Sequence, residues 1–267
     1  MHQIQTESDS MCRYNNETPH PEKWYSSEPE VVKPEWFSGK IDVKDAILVF
    51  TKSDYNYFID SCSYHPLRVN FPGAIEGKRG LNHLLVLSSF GAPAAGMLIE
   101  SLIASGIRRI FMVGEAGSIS PDVKIGKIFV PTWGLREEGT SYHYLPPKVI
   151  PKPSAKLLNK LREAFKDVEF AEGGIWSIDA PFRETREKIL RYSKMGVVGV
   201  DMECTALMAI SMHRKVEFAA VLLITDELSS GKWVQGWKSH VVKRSKEILV
   251  QRLLKLLGKE TGNVKKA

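Results

Sequence analysis

Short apolar runs alternate with helix-length amphipathic segments along most of this chain, and that alternation leaves few folds open. AILVF (46–50), HLLVLSSF (83–90), RRIFMVG (108–114), KIFVP (127–131), VEFAEGGIWSID (168–179), VVGV (197–200) and FAAVLLIT (218–225) read as strands. Between them, DYNYFIDSC (54–62), AAGMLIESLIASG (94–106), SAKLLNKLREAF (154–165), RETREKILRYS (183–193) and ECTALMAISMH (203–213) carry helical spacing, and WKSHVVKRSKEILVQRLLKLL (237–257) closes the series. Strands alternating with helices imply a sheet covered on both faces. The expected fold is α/β: a single-domain three-layer α/β/α arrangement around a central mixed, largely parallel twisted sheet. Residues 1–43, rich in Pro, Glu and Ser without periodicity, read as an N-terminal arm, 44–258 as the folded domain and 259–267 as a basic tail.

Composition narrows the function classes. A chain of 267 residues with 43% hydrophobic and 25% charged residues is an ordinary globular sequence. No apolar stretch reaches the roughly 18 residues needed to span a bilayer, and the polar N-terminus lacks the apolar core of a signal peptide. Three cysteines, Cys12, Cys62 and Cys204, form no C-x-x-C pair, so a reduced, cytoplasmic protein without structural zinc is expected. The net charge of +6 is concentrated in a C-terminal helix and tail, where a solvated face explains it; no nucleic-acid or membrane partner is read from it.

Phosphate-loop, dinucleotide, metal and serine-elbow motifs are all missing. Gly91 and Gly96 have the G-x-x-x-x-G spacing, but Met97 stands where the phosphate-loop lysine belongs. No H-E-x-x-H, H-x-x-x-H or G-x-S-x-G occurs, so neither a metal nor a cofactor is expected. In open α/β sheets ligands bind at the carboxyl ends of strands, and polar residues follow the apolar runs at Glu115, at Asp201-Met202-Glu203 and at Asp226-Glu227. A carboxylate pair flanking Met202 can accept hydrogen bonds from a cis-diol such as a ribose. Capping of the helix that starts near 203 is the alternative use of Asp201.

GVDMECTALMAI (199–210) resembles the ribose-binding segment of the nucleoside phosphorylase superfamily, the class of trimeric and hexameric purine nucleoside phosphorylases, uridine phosphorylases and methylthioadenosine nucleosidases. SSFGAPAAG resembles that family's Gly-rich turn, RRIFMVGEAGSI its phosphate segment, WSIDAPFRET its base-side segment and VLLITDE the strand ending in its catalytic aspartate. The resemblance spans roughly 45–255 in the family's order, and it implies N-glycosidic bond cleavage of a nucleoside. It places Asp201, Met202 and Glu203 on the ribose, Asp226 as the acid that protonates a purine-type base, and Phe182, Arg183 and Val200 near the base. It also implies a dimer-based homo-oligomer, up to a hexamer.

Two positions depart from the phosphorolytic pattern: Met112 replaces an arginine and Glu115 a serine or threonine, both phosphate ligands in the family. A carboxylate at an anion site repels phosphate by several kcal/mol at about 4 Å and intermediate dielectric, and it can serve as a base on water instead. Lys52 and Arg68 are the remaining candidate anion ligands. Hydrolysis is therefore favoured by a small margin over phosphate-dependent release of ribose 1-phosphate, with a catalytically inactive nucleoside-binding protein as a third reading. Adenine, guanine, hypoxanthine and deazapurine bases all remain open, and Tyr142, His143 and Tyr144 fit a base pocket and a subunit rim equally well.

Overall fold

The computed structural model describes residues 20–67 and 69–258; the first 19 residues of the arm, Arg68 and the 259–267 tail lie outside them. Among the described residues, ten strands and six α-helices run in the order β1 (Asp45–Val49), α1 (Lys52–Ser61), β2 (His65–Pro66), β3 (Ala74–Arg79), β4 (His83–Ser88), α2 (Ala92–Ala104), β5 (Arg109–Ser118), β6 (Ile128–Glu137), α3 (Ala155–Phe165), β7 (Phe170–Ile178), α4 (Arg186–Ser193), β8 (Val197–Asp201), α5 (Cys204–Arg214), β9 (Glu217–Glu227), β10 (Val234–Gln235) and α6 (His240–Gly258). The strands form one mixed sheet in the order β10-β9-β6-β7-β8-β5-β1-β4-β3-β2. The long pairings β1–β4, β1–β5, β5–β9 and β6–β7 are parallel. β5 also pairs with both β9 and β8, so the β5-β9-β6-β7-β8 portion closes on itself.

Alternation along the strands sorts the side chains into two cores, as a pleated strand requires. Ala46 and Leu48 of β1, Ile110 and Met112 of β5, and Ala220 and Leu222 of β9 pack with α2 and α5. Their neighbours Ile47, Val49, Phe111, Val113, Val221 and Leu223 pack with α1, α3 and α6. Three layers result: helices on each side of one sheet. A smaller cluster, built from Trp176, Ile178, Ile189, Tyr192, Val197 and Val200, holds α4 against β7 and β8.

Element ends differ from sequence expectation where capping or pairing decides them. α1 begins at Lys52, earlier than the periodicity suggests. Thr51 caps it by accepting the Asp54 N–H at 3.0 Å, and its hydroxyl donates to the Asp54 carboxylate at 2.8 Å. β5 runs on through Gly114 and Gly117, because β9 pairs with it along that whole length. β3 escapes notice because AIEGKR has no apolar run; it lies next to the two-residue edge strand β2. The described part of the arm crosses the α2–α5 side, where Trp24 stacks on His143 at 5.0 Å and Glu30 pairs with Arg214 at 2.9 Å. Among the described residues no helix is long and apolar enough to cross a membrane.

Leu98 is fully buried between α2 and the sheet, whereas Leu190 on α4 is exposed. Leu98→Ala is expected to lower the unfolding free energy by about 2–5 kcal/mol, and Leu190→Ala to change it by no more than about 0.5 kcal/mol, in urea titrations at matched protein concentration.

Candidate active site

The carboxyl ends of β5, β8 and β9 converge on one pocket of about 490 Å³. Glu115, Asp201, Met202 and Asp226 line it, together with Val200, Phe182, Glu184, Trp233 and Trp237. Local structure explains each placement. Glu115 follows Phe111 and Val113 on the β5 face that looks toward α1 and α6. The β5–β9 register slips by one residue between Ala116 and Gly117, which brings Asp226 rather than Thr225 opposite Gly117. A Cβ at Gly117 would lie 2.6 Å from Leu228 and 2.9 Å from the Asp226 carboxylate, so only glycine lets that carboxylate settle onto β5.

At the β8–α5 junction the two acids have different surroundings. Asp201 is buried, accepts the Ser177 hydroxyl on one oxygen and accepts the Cys204 N–H on the other at 2.8 Å. Its carboxylate thus fixes the start of α5, and Ser177 completes the link by accepting the Thr205 N–H at 2.9 Å. Glu203 accepts the Gly91 N–H at 2.6 Å. Gly91 has a φ of 95°, which glycine reaches without strain, and it caps α2. The Gly-rich turn and the Met-Glu junction therefore meet through one hydrogen bond. Burial and the neighbouring Asp201 charge push the Glu203 carboxyl well above its ordinary range.

Asp226 accepts from the Trp233 indole N–H at 2.9 Å and from the Thr225 hydroxyl at 3.3 Å. Burial raises its pKa, against the pull of those hydrogen bonds. Trp237 donates to the Thr225 hydroxyl at 3.1 Å and packs edge-on to Trp233 at 5.4 Å, so two indoles wall the Asp226 side. Glu184 adds a further acid, pushed up to about 7 by burial and then by the Asp226 and Asp201 charges.

Glu115 is engaged by a residue that sequence reasoning missed. Lys246 of α6 donates to Glu115 Oε1 at 2.6 Å, lies 2.9 Å from Asp54 Oδ1 and donates to the Ser53 hydroxyl at 3.2 Å. The signal was present in α6, where Lys246 falls on the buried face with Val242, Leu249, Val250, Leu253 and Leu257. Trp233 and Trp237, four residues apart in a glycine-flanked polar stretch, were also readable as walls.

Other expected residues lie elsewhere. Lys52 pairs with Glu76 at 2.6 Å and does not line the pocket. Arg183 is exposed and also absent from the lining, whereas Phe182 and Val200 both reach it. Met112 is buried in the α2–α5 core. His143 stacks on Trp24 and Tyr144 packs edge-on to His213, both away from this pocket. Among the described residues no group of three or more His, Cys, Asp or Glu could hold a metal ion.

The sequence profile of the phosphorylase superfamily matches residues 47–255. The chain belongs to that superfamily. It is an enzyme family, and the segments at 88–96, 108–119, 176–185, 199–210 and 221–227 that resemble it all fall within the match. A DeoD-type purine nucleoside phosphorylase of Clostridium novyi (strain NT) is 26% identical over 183 residues, which cover 66% of this chain and 77% of that protein. Among solved structures, the Toxoplasma gondii purine nucleoside phosphorylase in complex with immucillin-H superposes with a TM-score of 0.73 at 19% identity, covering 88% of this chain and 98% of that one. The Vibrio fischeri uridine phosphorylase superposes with a TM-score of 0.71, also at 19% identity, covering 83% and 95%. These structures share the single-domain α/β fold of this superfamily member.

The raised Glu203 pKa has a consequence for stability. A carboxyl that binds its proton more tightly folded than unfolded contributes stability that is present below the unfolded pKa and lost as pH rises through the folded one. For Glu203 that window runs from the ordinary glutamate value of 4.5 to about 8. Thermal unfolding of the wild type should therefore move to lower temperature across this range, and Glu203→Gln should flatten the slope. Equal slopes in both proteins would contradict the assignment.

Proposed function

We propose that this enzyme cleaves the N-glycosidic bond of a purine-type ribonucleoside, a modified or deazapurine base included, and that water is favoured over phosphate as the acceptor. The observation that carries the reading is the meeting of Asp226, Glu115, Asp201 and Met202 at one pocket; Glu203, next to Met202, is buried behind that lining on the Gly91 N–H. Glu203 and Met202 take the ribose, with Asp201 fixing the start of the helix that presents them. Phe182, Val200 and the indoles of Trp233 and Trp237 form apolar walls for a flat base. Asp226, its pKa raised by burial, donates a proton to the base nitrogen as the C1′–N bond breaks. Glu115 takes a proton from water while the water oxygen bonds to C1′, giving free base and ribose. The proton lost by Asp226 and the one gained by Glu115 balance.

The acceptor is argued from charge. Among the described residues the pocket lining contains no Lys or Arg, and Lys52 is engaged by Glu76. Lys246, behind Glu115, faces two carboxylates, Glu115 and Asp54, so a phosphate would meet an anionic wall. Phosphorolysis, the activity in the names of the relatives, is the second reading, and Lys52 and Arg68 are its candidate ligands. The purine relatives and the presence of Asp226 together favour a purine-type base over uracil. A dimer-based homo-oligomer and a cytoplasmic location, with free Cys62 and Cys204, complete the proposal.

The test is a panel of nucleosides with free base as the readout. Asp226→Asn should slow purine release by about 10²–10⁴-fold, the usual worth of a general acid, while a p-nitrophenyl riboside, which needs no protonation to leave, is still cleaved. Glu115→Gln should slow both substrates by a comparable factor, because both need the nucleophile. Equal loss on both substrates in Asp226→Asn would remove Asp226 from the acid role, and unaltered rates in Glu115→Gln would remove Glu115 as the base.

A further inference from the structure

Lys246 is buried, its side chain only 8% exposed, yet no expected step of the reaction uses it. A lysine is rarely buried unless it is paired, and the pairing here is specific. Its ammonium reaches Glu115 at 2.6 Å, Asp54 at 2.9 Å and the Ser53 hydroxyl at 3.2 Å. Three separate elements thereby converge on one nitrogen: α1 through Ser53 and Asp54, β5 through Glu115, and α6 through Lys246. Asp54 is itself held, since Thr51 donates to its other oxygen at 2.8 Å. Of these groups Glu115 alone lines the pocket.

We propose that Lys246 is a positioning residue for the water-activating step, keeping Glu115 charged and clamped through Oε1 so that Oε2 is left to take the proton from water. Asp54 acts as the counterweight, holding Lys246 from the opposite side and limiting how strongly it stabilises the Glu115 charge. The proposal rests on the reading of Glu115 as the base, and it adds the device that sets that base's strength. A base needs a pKa near its working pH. Burial and the Asp54 charge raise the Glu115 pKa and Lys246 pulls it back part of the way, leaving it above the ordinary glutamate value. The charged groups acting on Glu115 are Asp54 from α1, Lys246 from α6 and Asp226 from β9.

Removing each partner should move Glu115 in opposite directions. Lys246→Met deletes the cation, so the Glu115 pKa rises by roughly 1–3 units, the range for a close opposite charge. Asp54→Asn deletes a facing anion while keeping a side chain that can accept from Thr51, so the Glu115 pKa falls. Lys246→Arg restores a cation and brings the value back toward wild type. The direct readout is the carbon-13 titration of the Glu115 carboxyl in glutamate-labelled protein, assigned with Glu115→Gln. The second is the acidic limb of kcat/KM against pH for base release in the same variants.

Shifts of opposite sign for Lys246→Met and Asp54→Asn, with Lys246→Arg rescuing, support the proposal. Stability losses with an unmoved Glu115 titration would make the cluster a structural tie between α1 and α6 and overturn it. A Glu115 titration that moves while the pH–rate limb stays fixed would leave Lys246 in control of the carboxyl but remove Glu115 as the base. If Lys246→Met does not fold, the signs of the Asp54→Asn and Lys246→Arg shifts decide alone, a downward shift in the former being required.

Discussion

Carboxylates taken out of water at the ends of neighbouring strands are the constraint around which this molecule is built. A buried acid is costly in its charged form unless N–H or O–H groups or a cation compensate it, and each acid here has a different solution. Asp201 receives a hydroxyl and the first amide of α5, Glu203 the amide of Gly91, Asp226 an indole N–H and Glu115 an ammonium. Those solutions divide the labour. All four sit above their ordinary pKa because they are buried, and Glu115 alone faces a cation, Lys246, that pulls it back toward its charged form. One fold can thus hold carboxyls in different electrostatic surroundings within a single pocket, the arrangement that the proposed acid and base roles need.

The layered architecture makes this affordable. Side chains of β1, β5 and β9 alternate between two apolar cores, and that alternation fixes which way the polar residue beyond each core points. Glu115 continues the face of Phe111 and Val113 and so meets α1 and α6. Met112, one residue out of phase, is sealed among α2 and α5. The slip at Ala116 and Gly117 then sets Asp226 against the glycine that accommodates it. Closure of the sheet through β5, β9, β6, β7 and β8 brings strand ends that are distant in sequence around the same opening.

Much of this was legible in the sequence, for identifiable reasons. The strands with unbroken apolar runs and the helices with clear periodicity stand close to where their patterns place them, and the strand-end acids Glu115, Asp201 and Asp226 line one pocket, since the carboxyl ends of parallel strands open onto a crevice. What was hidden depended on tertiary contact. β3, with its polar AIEGKR, is a strand only because β4 lies beside it. The pairing of Lys52 with Glu76 crosses to that same strand and could not be seen from the turn after β1. Lys246 is the instructive omission: a charge on the buried stripe of α6 was visible in the spacing, but its partners 131 residues away at Glu115 and in α1 were not.

On the proposed reading, Glu115 and its buried partner Lys246 occupy the place where phosphate would otherwise act, and water is the acceptor. The initial rate of purine release as a function of inorganic phosphate concentration, with the sugar product identified at each point, tests this most directly. A rate independent of phosphate, with ribose as the product throughout, is predicted. A rate that rises and saturates with phosphate, yielding ribose 1-phosphate, would contradict it.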